Sequence, residues 1–283
     1  MNKRTCLITG ATSGIGRAAA LALAEKGQGL VLIGRNEEKA ARVCEEIKRK
    51  ARNGNVSYYV CDLSILQAVR GLAAKIKEDY GKIDVLINNA GARFLKHQLT
   101  KEGIEMTLAT NHLGHFVLTL SLIDMLEKSA QGRIINVSSG THYAGTGVIE
   151  NVLSARDYDG RKQYANSKLA NILFTYALSE RLKGQGISVN AVGPGGIATN
   201  FARNNGLKHW LKHRIYYLSK RQLLTPRQGA ETLVFLASSE AVGEITGKYF
   251  SDKKEKKSSD ISHDKDAQER LWAKSVALSG IDI

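Results

Sequence analysis

Thr5–Gly16 reads Thr-Cys-Leu-Ile-Thr-Gly-Ala-Thr-Ser-Gly-Ile-Gly. Thr5–Thr9 suits a buried strand. It runs into glycines spaced G-x-x-x-G-x-G, and Gly14–Lys26 then carries Ile15, Ala18, Ala19, Leu21, Ala22 and Leu23 at helical spacing. A glycine turn between a first strand and a first helix lets the backbone approach a pyrophosphate at the helix N-terminus. Gly10, Thr12, Ser13, Gly14, Ile15 and Gly16 are the expected contacts. The spacing departs from the G-x-G-x-x-G fingerprint, so its placement carries the reading.

Working outward, short apolar runs alternate with helical periods. Strands are expected at Gly29–Gly34, Val56–Val60, Val85–Asn88, Arg133–Ser138, Ser188–Val192 and Gly247–Phe250. Helices are expected from Asn36, an N-cap followed by Glu37 and Glu38, to about Arg52. Others follow over Ile65–Tyr80, Lys101–Lys128 and Tyr164–Lys183, and after Thr225-Pro226-Arg227-Gln228. This alternation predicts an α/β fold, one doubly wound parallel sheet of Rossmann type with helices on both faces. No internal repeat or linker divides the 283 residues, so a single domain over 1–283 is expected. The polar Ser251–Gln268 reads as a surface loop. Asp266 to Glu269 would cap a short terminal helix carrying Leu271, Trp272, Val276 and Leu278.

Composition excludes several classes. At 43% hydrophobic and 24% charged, the chain is neither disordered nor collagen-like. Three cysteines cannot build a disulfide framework. No run of 18 apolar residues suggests a membrane span. The opening MNKRTCLITG lacks a signal-peptide pattern, so a cytoplasmic protein without an N-terminal anchor is expected. His112, His115 and His142 have no zinc-site spacing, so no metal is expected. Net charge is +14, and nine Lys or Arg without a single Asp or Glu lie between Arg181 and Ala230. Trp210, Leu211, Ile215, Tyr216, Tyr217 and Leu218 stand among them. Residues 203–227 thus read either as a weak membrane-surface contact or as a segment with a solvated basic back. No nucleic-acid partner is expected.

Other strand ends carry further candidates. Arg35 follows the second strand where NAD-preferring sites offer an acid, and a guanidinium there suits a 2′-phosphate, which favours NADP(H). Asp62 and Leu63 follow the third strand, where adenine would lie. Asn89, Ala90 and Gly91 follow the fourth. Tyr164 and Lys168 stand at i and i+4 on one helix face. A neighbouring ammonium favours phenolate, which would make Tyr164 a usable acid or base. Ser138-Ser139 ends the fifth strand and could set a hydroxyl beside the tyrosine. Asn111 lies in a helical pattern where asparagine is mildly unfavourable, and a local bond to the backbone would also account for it.

TGATSGIG, NNAG, the asparagine of NHLG, the serines of NVSS, YANSK and Pro194-Gly195 with Thr199 occur in this order. Together they resemble the short-chain dehydrogenase/reductase superfamily over about residues 1–250. The resemblance implies that Ser139, the second serine, orients the substrate oxygen and that Tyr164 donates or accepts the proton. Lys168 would tune Tyr164 and hold the nicotinamide ribose. Asn111 would position a water in a proton relay. Pro194, Gly195, Ile197 and Thr199 would contact the nicotinamide half. NHLGHF, the long insert between Ser139 and Tyr164, SKLAN, YFSD and ERLW look like the retinol dehydrogenase-like branch. That branch implies a lipophilic aldehyde, ketone or alcohol as substrate and a variable lid after Thr199, here about 200–225. Gly193 departs from the branch, where histidine commonly precedes Pro-Gly. Two other readings are a basic membrane-surface protein and a catalytically silent NADP-binding scaffold. Intact Ser139, Tyr164 and Lys168 argue against the scaffold.

Overall fold

The structure, a computed structural model, describes residues 3–147, 154–197, 206 and 224–282. Its first half alternates β1 (Thr5–Thr9), α1 (Gly14–Glu25), β2 (Gly29–Gly34), α2 (Glu37–Ala51), β3 (Val56–Val60), α3 (Leu66–Asp79) and β4 (Val85–Asn88). Among the described residues the sheet order is β3-β2-β1-β4, followed by β5 (Gly132–Val137), β6 (Ile187–Val192), β7 (Lys248–Ser251) and β8 (Lys254–Glu255). All neighbours are parallel except β7 with β8. β1, β2, β4, β5 and β6 are buried nearly throughout because helices cover both faces. One face packs on α1, α2 and α8 (Pro226–Ser238) through residues such as Ala19, Val43 and Leu233. The other packs on α3, on helical segments within Met106–Glu127, and on α7 (Gly160–Arg181).

The caps behave as the sequence suggests. The Asn36 side chain accepts the Lys39 N–H at 2.8 Å, and Thr225 and Gln228 form a reciprocal capping box ahead of Pro226. Three expectations are corrected. The helical zone expected from Lys101 begins only at Met106, because the Glu105 carboxylate caps it, accepting the Thr107 and Leu108 N–H groups. It is then interrupted: α4 (Met106–Leu108), a π-helical stretch over Ala109–Leu113, α5 (Gly114–Ser121) and α6 (Ile123–Glu127). The helix expected to open at Tyr164 starts at Gly160, where Asp159 caps Arg161 and Lys162, so Tyr164 lies in its second turn.

The third correction concerns the tail. Ser251–Gln268 includes β8 and a 3₁₀ turn over Asp260–His263, and α9 (Lys265–Ser279) is capped by Asp264 rather than Asp266. Trp272 is 6% exposed and joins the main core. Its ring meets Phe116 edge-on at 5.1 Å, and Arg181 lies 3.9 Å from the ring centroid while pairing with Glu269. His112 Nε2 is 2.8 Å from Ser275 Oγ, so α9 braces the π-helical stretch. The apolar payload at Leu271 and Trp272 outweighs the polarity of the residues leading to it. No described helix is long and apolar enough to cross a membrane.

Candidate active site

Strand order reverses between β1 and β4, and ligands of open parallel sheets bind outside the carboxyl strand ends at such a point. A cleft of ≈ 580 Å³ opens there. It is lined by Gly10, Thr12, Ser13, Gly14, Ile15, Gly16, Arg35, Asp62, Leu63, Asn89, Ala90 and Gly91. Twelve residues expected from four separate sequence stretches therefore meet in one cavity. A Cβ on Gly16 would collide with Asn89 Nδ2 and the Gly10 carbonyl, so only glycine lets the helix start close on the loop. These features fit a dinucleotide: a glycine cradle at a helix N-terminus, Asp62 beyond β3, and a cationic end at Arg35. Lys39 also lines the cleft, as do Asn36, Cys61, Ala92 and Thr110. The sequence reading passed over Lys39. It stands in the first turn of α2, three residues after the Asn36 cap, and that place just beyond the β2 strand end was the available signal.

Thr9, fully buried at the end of β1, ties the loops together. Its Oγ accepts the N–H groups of Asn89 and Ala90, each at 2.9 Å. The Asn89 side chain returns a bond to the Thr9 carbonyl at 2.8 Å.

Beside this cleft lies a second group of side chains. Lys168, 3% exposed, donates to the Val137 carbonyl at 3.1 Å, at the end of β5. Its Nζ would be 3.3 Å from a Cβ placed on Gly91, so the ammonium adjoins the fourth strand's loop. It also lies 5.8 Å from the centroid of the half-buried Tyr164 ring, with the Arg93 guanidinium 5.9 Å from that ring. Burial pushes the Lys168 pKa down from 10.5 to about 8. The two serines separate clearly. Ser138 is 2% exposed and donates its only proton to the Lys168 carbonyl at 2.7 Å. Ser139 is less buried, and its Oγ accepts the Thr141 N–H at 3.2 Å, which leaves its proton available. Asn111 makes no local bond of the kind that could have explained it. Its Oδ1 accepts the Ala92 N–H at 2.8 Å, and its Nδ2 donates to the Ala92 carbonyl and to Ser167 Oγ, each at 2.9 Å. It stands in the π-helical stretch, a register defect that recurs at functional sites.

Pro194, Gly195 and Ile197 follow β6 and are not among the cleft-lining residues. The Ile197 segment bridges Leu224 instead. Gly193 has a local cause: a Cβ there would collide with the Tyr249 hydroxyl, which β7 brings alongside. Thr199, the expected lid over 200–225 except Gly206 and its end, and most of the basic 203–227 stretch lie outside the described residues. Among the described residues no group of three or more His, Cys, Asp or Glu could hold a metal ion.

Residues 4–210 match the family described as short chain dehydrogenase. Human "Retinol dehydrogenase 13" is 38% identical over 285 residues, 99% of this chain and 85% of that protein. A crystal structure of a putative uncharacterized protein from Mycobacterium paratuberculosis aligns with a TM-score of 0.78 at 29% identity, covering 99% of this chain and 94% of that one. The structure of YwfH, described as an NADPH dependent reductase involved in bacilysin biosynthesis, aligns at 0.73 and 26%, covering 89% and 97%.

Proposed function

The chain belongs to the short chain dehydrogenase family, on its retinol dehydrogenase-like branch, as an oxidoreductase of alcohols and carbonyls, and from that premise we propose that it reduces a lipophilic aldehyde or ketone with NADPH, Tyr164 supplying the proton. The observation that carries this reading is the convergence of Lys168 on Tyr164 and Gly91 beside the glycine-loop cleft. NADPH supplies the hydride when bound. Arg35 and Lys39, which both line the cleft, would hold the 2′-phosphate, where a guanidinium can offer a fork and an ammonium a point charge. Ser139 donates its hydroxyl proton as a hydrogen bond to the carbonyl oxygen and so orients it. Tyr164 Oη passes a proton to that oxygen as negative charge develops there. The Lys168 ammonium stabilises the phenolate that remains and also binds the ribose. Asn111 holds a water through which the proton is replaced.

Support for a lipophilic substrate comes from the retinol dehydrogenase relative and from the apolar side chains of the 200–225 segment, Phe201, Leu207, Trp210, Tyr216 and Leu218 among them. Each buried methylene contributes about 0.8 kcal/mol. Catalytic efficiency should therefore rise up to about 15-fold per two added carbons until the pocket is full. NADPH oxidation with straight-chain aldehydes, retinal, bulky ketones and sugars tests this. A flat length profile, or a preference for sugars or hydroxy acids, refutes the substrate class.

A further inference from the structure

We propose that His115 is a positioning residue, whose imidazole holds the backbone carbonyl of Asn111 against the end of β1 and so couples the nucleotide loops to the proton-handling side chains. The proposal rests on the reading of Asn111 as part of the proton relay. His115 is 2% exposed, one turn beyond Asn111. Its Nδ1 lies 3.1 Å from the Asn111 carbonyl and its Nε2 2.9 Å from Thr9 Oγ.

Hydrogen-bond accounting fixes the tautomer. A carbonyl only accepts, so Nδ1 carries the hydrogen. Burial, and then the charge of Lys168, push the His115 pKa down to about 3, so the ring is neutral and Nε2 is an acceptor. The Thr9 hydroxyl therefore donates to Nε2 at 2.9 Å, the Ile87 carbonyl at 3.4 Å being the longer alternative. Its two lone pairs are already taken by the Asn89 and Ala90 N–H groups. Every polar capacity of Thr9 and of the imidazole is then used, and a line runs from the NNAG loop through Thr9 and His115 to Asn111.

The Asn111 side chain explains why its carbonyl matters. Both Nδ2 hydrogens are spent, on the Ala92 carbonyl and Ser167 Oγ, and Oδ1 already accepts the Ala92 N–H. With no side-chain donor left, Asn111 can hold a relay water only as an acceptor, through the remaining lone pair of Oδ1 or through the main-chain carbonyl that His115 aims. The π-helical stretch shifts the ladder from i→i−4 to i→i−5 at this point, and the bond from His115 ties the displaced carbonyl to β1.

Two isosteres divide the imidazole into halves. Asparagine presents an amide hydrogen near the Nδ1 position and keeps the bond to Asn111. Glutamine reaches the Nε2 position and keeps only the bond to Thr9. With NADPH and decanal, kcat of His115→Gln should fall about tenfold or more at unchanged KM, as expected for misplaced catalytic geometry. His115→Asn, which keeps the bond to Asn111, should recover most of that loss. NADPH affinity should be the same in both variants. Equal kcat in the two, or the reverse order, overturns the proposal. Tyr164→Phe serves as the reference: near-normal turnover there refutes the functional reading rather than this one. ¹⁵N NMR of the unmutated protein gives an independent test that survives a variant's failure to fold. The His115 ring should be neutral with the hydrogen on Nδ1 from pH 5 to 8. A hydrogen on Nε2 alone, or a charged ring, overturns the proposal.

Discussion

Removing the Arg35 guanidinium should weaken NADPH binding and leave NADH binding nearly unchanged. Arg35 is exposed at the rim of the cleft, so the lower end of the range for a charged hydrogen bond, about 1.5 kcal/mol, applies. That corresponds to about a twelvefold loss in Arg35→Ala. Lys39 is half-buried in the first turn of α2 but lacks the fork, and about 1 kcal/mol gives about a fivefold loss in Lys39→Ala. If the two acted independently, the double variant would lose about 60-fold. Two cations on one phosphate compete for the same charge, so the measured loss should be smaller than that product. Fluorescence titration with NADPH and NADH at two salt concentrations provides the assay. The NADPH preference should shrink at high salt, where exposed charges are screened. Equal affinities for the two cofactors in the unmutated protein would refute the reasoning. So would a parallel loss of NADH in Arg35→Ala.

The two serines should part company: Ser139→Ala should lower turnover by about 10²–10³ with NADPH still bound. Ser138→Ala should instead lose about 1 kcal/mol of stability, read from a denaturant midpoint, because the Lys168 carbonyl loses its donor. The Lys168 pKa of about 8 sets a pH window: the ammonium is present below it, so kcat/KM for reduction should fall as pH rises through about 8. The folded chain releases this proton below the unfolded value of 10.5, so the energetic cost of burying it is relieved, and the group's contribution to stability rises, between those two values. A pH–rate profile flat to pH 10 would contradict the assignment. Trp272→Ala should cost about 3–5 kcal/mol, a melting-temperature drop of about 5–8 °C for a chain this long, because it empties the contact with Phe116. A drop below 1 °C in calorimetry would mean that α9 is only a surface appendage.

Local features were legible along the chain. Thr5–Thr9, Gly29–Gly34 and Val85–Asn88 are strands at the positions their apolar runs indicate, since buried parallel strands are apolar on both faces, and the β-branched and aromatic Val56–Val60 is the half-exposed edge strand. Caps at Asn36 and Thr225 were legible because a cap is a bond across three residues. The cleft was legible too, because glycines and polar residues at strand ends mark where a parallel sheet leaves room for a ligand. Tertiary structure decided what depends on residues distant in the chain. The π-helical break around Asn111 is invisible in a helical period, and it is held by Ala92, Ser167, Ser275 and Thr9 from four other segments. The polar tail folds because Trp272 finds Phe116 and Phe174, and composition alone could not show that pocket. Ser138 and Ser139 are chemically identical in sequence. They differ because one hydroxyl is spent on the Lys168 carbonyl, a contact made only when α7 packs across β5.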